Sequence, residues 1–237
     1  MLFPNHIIKA ITDSAIQVDS LTRDALANGI IADENDYTSC FIKELRDTIL
    51  KCSIPGLRAL VVVLKAPEER RLGADAKIVL ANSTHFKVCV FEAKWPRLKT
   101  PTHVWDSKQA ATGGSHFHDQ LKRQSSWANK FAIWEMFYCE WHQQTQPSYM
   151  SDSGSSCVWH EHAFNASNSR QPPLALWNNN DLQGLLSTHR TTIDQVLDEV
   201  CRCQKGKPKD GDNYEGLLSE YSDASEYLVI RYVEEGA

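Results

Sequence analysis

The spacing of apolar residues divides the first third of the chain into two helical stretches and one strand-like stretch. Apolar positions recur every three or four residues through residues 5–27, which predicts one or two helices. Asp33 is a favourable N-cap residue, and it predicts a second helix that runs to about Leu50. The β-branched run within residues 57–65 predicts a buried strand after these helices.

Two apolar runs around the polar segment 82–84 predict a β-hairpin. A turn centred on Ser83 and Thr84 places Asp75 directly opposite Glu92, within side-chain reach. Because side chains alternate along a strand, Glu92 and Lys94 share one face. The hairpin is therefore expected to bring two carboxylates and one ammonium together at one end of a sheet. Carboxylate oxygens with a cation beside them are typical of a divalent metal site.

The rest of the chain continues to mix helical and strand-like patterns. We predict a polar connection at 95–114, a helix at 115–129, strands at 131–141 and 157–164, a short strand at 174–177, helices at 181–186 and 191–203, and a last strand at 227–233. This pattern predicts an α/β fold with a central mixed sheet flanked by helices, followed by C-terminal helical and strand elaborations.

Composition narrows the setting in which the protein is expected to work. The 237 residues, 42% of them hydrophobic, are enough for a sizeable core, and we expect a single domain. Seven scattered cysteines give no disulfide framework, and no signal peptide is evident, so we expect a reducing cytoplasm. No apolar run approaches membrane-spanning length, and we expect no membrane partner.

With a net charge of −5, the chain has no overall positive potential that would indicate a nucleic-acid partner. Local basic patches are nevertheless available for phosphate contacts. They lie at residues 65–71, 94–99 and 122–123.

The hairpin motif resembles that of the PD-(D/E)XK nuclease superfamily, whose fold is the restriction-endonuclease-like fold. That family has an acidic residue on one strand, here Asp75, and Glu-x-Lys on the next, here Glu92 and Lys94. Ala74 replaces the usual proline before the aspartate, which is a departure from the motif. The predicted order helix, strand, strand, strand, helix, strand over about residues 33–142 agrees with the family core, and residues 143–237 are expected to be elaboration.

The resemblance implies a nuclease that hydrolyses phosphodiester bonds with Mg²⁺ or Mn²⁺, most simply a DNA endonuclease. Asp75, Glu92 and the backbone carbonyl of Ala93 would bind the metal, and Lys94 would orient the attacking water or stabilise the developing charge. The implied partner is nucleic acid, with DNA favoured. Since no separate DNA-reading module is evident, either the elaborations carry the target specificity, or a homodimer or partner protein supplies it. The resemblance to this family also suggests a biological role in restriction or phage defence.

Three further polar residues are candidates for the same site. Glu34 opens the second predicted helix and matches the position of an acidic residue that joins the metal site in many family members; Glu44 is the alternative. Gln120 and Gln124 are four residues apart, so they lie on one helix face, where some families place a glutamine near the catalytic lysine. The plain alternative is that these are surface residues of half-exposed helices.

Other interpretations of the charged residues stay open. His160 and His162 lie on a predicted strand and would point the same way, towards a transition metal or a nucleic-acid groove. A structural zinc site lacks further ligands with suitable spacing. The Asp75, Glu92 and Lys94 group is alternatively a solvated salt-bridge cluster. The protein would then be a non-catalytic interaction or nucleic-acid-binding protein on a nuclease-like scaffold. The choice between DNA and RNA, and between single and double strands, is open.

Overall fold

The computed structural model describes residues 1–63, 74–100, 104–172, 174–211, 214 and 226–234. Within these ranges the fold is α/β. The helices are α1 (Asn5–Ala27), α2 (Glu34–Lys51), α3 (His116–Ser125), α4 (His160–Ser169), α5 (Asn179–His189) and α6 (Ile193–Cys201). The strands are β1 (Leu57–Val63), β2 (Ala76–Ala81), β3 (His85–Lys94), β4 (Ala132–Phe137), β5 (Ser156–Trp159), β6 (Lys209–Asp210) and β7 (Glu226–Tyr232). None of the described helices combines the length and hydropathy needed to traverse a bilayer.

The strands form one mixed sheet in the order β1-β7-β2-β3-β4-β5, with β6 paired to the beginning of β3. The pairs β2 with β7 and β3 with β4 are parallel, and the remaining pairs are antiparallel. Strand β7 lies between β1 and β2, so the C-terminal part of the chain is built into the sheet and is not only an external elaboration. Strand β1 is an edge strand, and Leu60 is 58% exposed, which corrects the expectation that this strand is fully buried.

The β2–β3 hairpin has the register that the sequence predicted. Ala76 pairs with Phe91 at one end, and Ala81 pairs with Phe86 at the other. The turn is closed by the side chain of Asn82, whose Oδ1 accepts the backbone N–H groups of Thr84 at 2.8 Å and His85 at 2.7 Å. A polar side chain that bonds its own turn fixes the chain reversal, and the reversal fixes every pairing beyond it.

Helices cover the sheet from both sides. Helices α1, α2 and α6 pack on one face in the main core, which includes Ile78, Leu80 and Phe91 of the hairpin. Helices α3, α4 and α5 share a second core with Phe137 and Val158 on the opposite face. Because side chains alternate, the face opposite Phe91 also receives Glu92 and Lys94. The charged end of the hairpin is therefore directed towards the α3 side.

Two predicted helix boundaries are close to those observed. Asp33 caps α2 by accepting the backbone N–H of Asp36 at 2.9 Å, as the sequence indicated. Ser115 caps α3 in the same way through the N–H of His118. Helix α3 ends at Ser125, before the predicted limit of 129, because the chain then forms turns in which Trp127 N–H bonds to the carbonyl of Gln124.

Two predicted strands are wrong in part or entirely. The strand expected at 157–164 stops at Trp159, and His160 begins α4. The buried residues of α4, which are His160, Ala163 and Ser167, recur at helical spacing. The short strand at 174–177 is a loop, since Trp177 exchanges hydrogen bonds with residues 105–106 and not with the sheet.

Gly56 adjoins the edge of the sheet where β1 and β7 meet, and we expect its replacement to be costly. Its φ is +76°, and a Cβ there would lie 2.0 Å from the carbonyl oxygen of Val233. Left-handed backbone alone costs a non-glycine residue about 1–3 kcal/mol, and the clash adds to that. Gly56→Ala should therefore lower the urea midpoint of unfolding.

Gly184→Ala is the matched control for this prediction. Gly184 lies inside α5, and nothing is within 4 Å of a Cβ there. Alanine in a helix interior is favoured over glycine by about 0.5–1 kcal/mol, so this variant should gain stability. Equal midpoints for the two variants would contradict the close approach at Gly56.

Candidate functional site

A cavity of about 430 Å³ lies at the end of the β2–β3 hairpin, between the beginnings of α2 and α3. Five of the side chains that the sequence nominated line it. They are Glu34, Asp75, Glu92, Lys94 and Gln120. Its volume is in the range of roughly 300–1,000 Å³ that is usual for ligand pockets.

Glu92 and Lys94 form a buried ion pair, as their shared strand face predicted. Lys94 Nζ lies 2.5 Å from Glu92 Oε1, and the two residues are 9% and 2% exposed. Burial works against the charge of Lys94, but the carboxylates of Glu92, Glu34 and Asp75 outweigh it and raise the pKa of the ammonium. Lys94 is therefore a stable positive charge and a hydrogen-bond donor, and not a ready base.

Asp75 precedes β2 by one residue and is tied to the neighbouring strand. Its backbone N–H donates to the carbonyl of Phe91 at 3.0 Å, and its Oδ2 accepts the N–H of Ala93 at 2.8 Å. Burial and the negative charge of Asp75 raise the pKa of Glu92 well above its ordinary value. The carboxylates of Asp75 and Glu92 thus repel each other at the end of the hairpin, and a bound cation would reduce that repulsion.

Glu34, and not Glu44, lies in the cavity. Glu34 is the first residue of α2, and its Oε1 accepts the backbone N–H of Trp95 at 2.8 Å, just after β3. Burial raises the pKa of Glu34, and the nearby ammonium of Lys94 opposes that shift. Glu44 is exposed on the same helix. Of these two candidate acids, only Glu34 lies at the end of α2 that meets the hairpin.

The two glutamines of α3 are both buried, but they serve different neighbours. Gln120 donates from Nε2 to Glu92 Oε1, the oxygen that Lys94 also contacts. The Oε1 atom of Gln120 is buried and has no hydrogen-bond partner among the described residues. Gln124 is bonded instead to His160, with Oε1 2.9 Å from Nδ1. Only Gln120 reaches the cavity.

Glu135 is a buried carboxylate that the sequence analysis missed. It lies on β4 in register with Glu92 on the adjacent parallel strand, and its charge also raises the pKa of Glu92. It is completely buried, and neither carboxylate oxygen has a hydrogen-bond partner in the described parts of the chain. His160 Nδ1 lies 3.6 Å from its Oε1. The signal in the sequence was one carboxylate inside the apolar run at residues 131–139.

Tyr138, which follows β4, was also missed. Its ring is stacked on Tyr37 with centroids 3.8 Å apart. Burial and the charges of Glu34 and Asp75 raise the pKa of its hydroxyl, which has no hydrogen-bond partner among the described residues. The phenol therefore stays protonated beside the charged end of the hairpin.

The expectation that His160 and His162 point the same way is wrong, because both lie on a helix and not on a strand. His160 and His162 lie in the first turn of α4, where residues two apart do not share a face as they would on a strand. His160 is buried against Gln124, whereas the ring of His162 stacks on His189 at 4.2 Å. The pair therefore does not converge on one metal or line one groove.

The donor set of the cavity suits a hard cation more than a transition metal. Across the described ranges, no three His, Cys, Asp or Glu side chains are arranged to hold a metal ion. Mg²⁺, however, usually takes one or two carboxylates and completes its shell with water and substrate phosphate. Asp75, Glu92 and the unpartnered Oε1 of Gln120 are oxygen donors of that kind. The residues present therefore fit Mg²⁺ in number and chemistry.

The basic patches are distributed unevenly around this cavity. The patch at 94–99 leads from Lys94 to the cavity mouth, where Arg97 contributes to the lining. In the patch at 122–123, Arg123 forms an ion pair with Asp119 at 3.3 Å on the outside of α3. The patch at 65–71 lies outside the described residues.

Comparisons of the chain with models of protein families, with curated proteins and with solved structures returned no match. The site is therefore interpreted from its own residues.

Proposed function

We propose that this protein is a metal-dependent nuclease of the PD-(D/E)XK kind, which hydrolyses phosphodiester bonds of nucleic acid with Mg²⁺ or Mn²⁺. The observation that carries the proposal is the convergence of Asp75, Glu92 and Lys94 in one cavity. The hairpin register brings Asp75, just before β2, beside the end of β3 that carries Glu92 and Lys94. Glu34 and Gln120 line the same cavity and support the assignment.

The charge balance of the cavity favours a reaction that uses a divalent cation. Among the described residues, five carboxylates line it, against the two permanent cations Lys94 and Arg97. A polyanionic substrate would be repelled by such a surface. A divalent cation held by Asp75, Glu92 and the Ala93 carbonyl would offset most of that excess of negative charge.

The residues of the chain then have distinct tasks. When bound, Mg²⁺ would polarise the scissile phosphate and lower the pKa of a bound water. Lys94, which keeps its proton, would donate to the attacking water or to the phosphate oxygen on which charge develops. Gln120 holds Glu92 in place, and Glu34 fixes the backbone at Trp95, where the chain leaves the site.

The proposal extends to the biological setting. The substrate is nucleic acid, with DNA favoured, and target recognition comes from a homodimer or a partner protein. Restriction or phage defence in the cytoplasm is the role that fits such an enzyme.

A cleavage assay with a charge-only variant tests the catalytic proposal. Plasmid, linear duplex, single-stranded DNA and RNA are incubated with protein and Mg²⁺, Mn²⁺ or EDTA. Asp75→Asn keeps an acceptor for the Ala93 N–H but removes the charge, so it should retain the fold and lose at least about 100-fold in rate. Asp13→Asn, on the exposed side of α1, is the matched control and should cut at the wild-type rate.

The contrary outcomes separate the alternatives. A wild-type protein that cuts nothing with either metal would favour the non-catalytic interaction protein. Cleavage that persists in EDTA would remove the metal from the proposal. Wild-type cleavage by Asp75→Asn would assign the activity to other residues.

A further inference from the structure

Two cation–aromatic pairs lie in the segments that lead away from the cavity. The guanidinium carbon of Arg97 lies 4.4 Å from the ring centroid of Trp95, and both residues line the cavity. Lys99 Nζ lies 5.2 Å from the ring centroid of Trp141. We call these four residues the stacking platform. Arg97 and Lys99 are exposed, and both tryptophans are half-buried.

A single carboxylate holds the platform together. Glu140 Oε2 accepts the indole N–H of Trp95 at 2.8 Å, and Glu140 Oε1 accepts the backbone N–H of Lys99. Glu140 also directly precedes Trp141 in the chain. One side chain thus fixes the segment 95–99 against the segment that carries the second tryptophan. Trp95 packs against the main core and Trp141 against the second core, so Glu140 links two cation–aromatic pairs that different parts of the fold support.

The backbone of Arg97 is held in a conformation that is unfavourable for a residue with a side chain. Its φ is +50°, in the left-handed region. The turn is maintained by Thr100, whose N–H and hydroxyl both donate to the carbonyl of Arg97. Non-glycine residues in this region cost energy and cluster at binding sites. The strain is consistent with a requirement for the guanidinium at the cavity mouth.

We propose that the stacking platform binds unpaired nucleotides, so that the substrate is single-stranded nucleic acid or the single-stranded end of a duplex. Proteins that bind single strands combine aromatic rings with cations, because the bases stack on the rings and the cations pair with the phosphates. In a continuous duplex, the faces of internal bases are already covered by their neighbours. The proposed binding depends only on the platform, whereas cleavage of the bound strand depends on the proposed nuclease function.

The position of the platform relative to the carboxylates supports this substrate class. The carboxylates of Asp75 and Glu92 line the cavity together with Trp95 and Arg97 of the platform. A strand held on the platform would have its phosphates neutralised there and one phosphodiester directed towards Asp75 and Glu92. The arrangement separates strand binding from the chemistry, so each can be removed without the other.

Binding measurements in EDTA test the platform without cleavage. Fluorescence anisotropy is recorded with labelled single-stranded DNA, single-stranded RNA and duplex DNA of one sequence. The wild-type protein should bind a single strand at least tenfold more tightly than the duplex. Arg97→Gly removes the guanidinium and suits the left-handed backbone, so it should fold normally and weaken single-strand binding about tenfold, as should Trp95→Leu.

A similar pair elsewhere gives the matched control. Lys130 Nζ lies 5.0 Å from the ring centroid of Trp127, and neither residue lines the cavity. Lys130→Ala should leave single-strand binding unchanged. Equal binding of duplex and single strand, or unchanged binding by both platform variants, would overturn the inference. The DNA and RNA arms show whether the sugar is recognised.

The outcome of this experiment is separable from that of the cleavage assay. Wild-type cleavage of plasmid with unchanged binding by the platform variants would remove the platform and leave the nuclease. Single-strand binding that the platform variants lose, in a protein that cuts nothing with either metal, would keep the platform and remove the nuclease.

Discussion

Lys94→Ala should lower the unfolding free energy of the metal-free protein by about 3–5 kcal/mol, the usual cost of removing one member of a buried ion pair. Lys94 is the positive charge that compensates Glu92, and Glu34 and Asp75 also act on it. Without the ammonium, these carboxylates face one another in a buried site. Urea denaturation in EDTA, followed by circular dichroism, measures the loss.

Added Mg²⁺ should reduce the difference in stability between Lys94→Ala and the wild type. A cation that binds only the folded state stabilises a protein by mass action, and under the proposed function Mg²⁺ should restore more stability to Lys94→Ala than it adds to the wild type. Glu92→Gln loses a carboxylate that we propose as a metal ligand, so its stability should respond least to Mg²⁺. Lys43→Ala, an exposed lysine on α2, is the control and should stay within about 0.5 kcal/mol of the wild type.

Two results would count against this account. If Lys94→Ala in EDTA is as stable as the wild type, Glu92 does not depend on the ammonium, and the site is more open than described. If Lys94→Ala is folded in Mg²⁺ and cuts at the wild-type rate, Lys94 has no part in the chemistry.

The hairpin could be predicted because all its determinants are local. The polar turn at Asn82, Ser83 and Thr84 sets the register, and the register alone pairs Asp75 with Glu92. Glu34 could be nominated because it opens a helix whose cap is readable in the sequence, and Gln120 because it shares one helix face with Gln124. Their approach to the hairpin follows from the packing of those helices.

The errors and omissions arise where contacts are distant in the chain. The insertion of β7 between β1 and β2 follows from pairing across more than a hundred residues, which no local pattern specifies. Glu135 meets Glu92 only because β4 pairs with β3. Residues 157–164 are too few to distinguish a strand period from a helical one, so α4 was mistaken for a strand.

A second long-range feature connects the core to the stacking platform. Arg23, near the C-terminal end of α1, is 1% exposed and donates to the segment that follows β4. Its Nη2 bonds to Gln146 Oε1 at 2.7 Å and to the carbonyl of Trp141 at 3.2 Å, and its Nη1 bonds to the carbonyl of Gly154. Beside it, buried Asp19 accepts hydrogen bonds from Tyr37 and Ser155.

Arg23→Ala should therefore cost about 3–5 kcal/mol of unfolding free energy, because it removes the cation beside buried Asp19 and leaves several buried acceptors without a donor. Lys9→Ala, on the exposed side of the same helix, should change stability by less than about 0.5 kcal/mol. Urea denaturation compares the two variants directly. A small loss for Arg23→Ala would mean that water replaces the guanidinium without cost.

Arg23→Ala should also weaken the binding of single-stranded DNA by the stacking platform. The carbonyl of Trp141 loses its donor, so the second ring of the platform is no longer fixed relative to Trp95. At a temperature where Arg23→Ala remains folded, its affinity for single-stranded DNA should fall, whereas that of Lys9→Ala should not. Reduced stability with wild-type affinity would show that Glu140 alone is enough to align the two rings, and that the contact from α1 serves only the core.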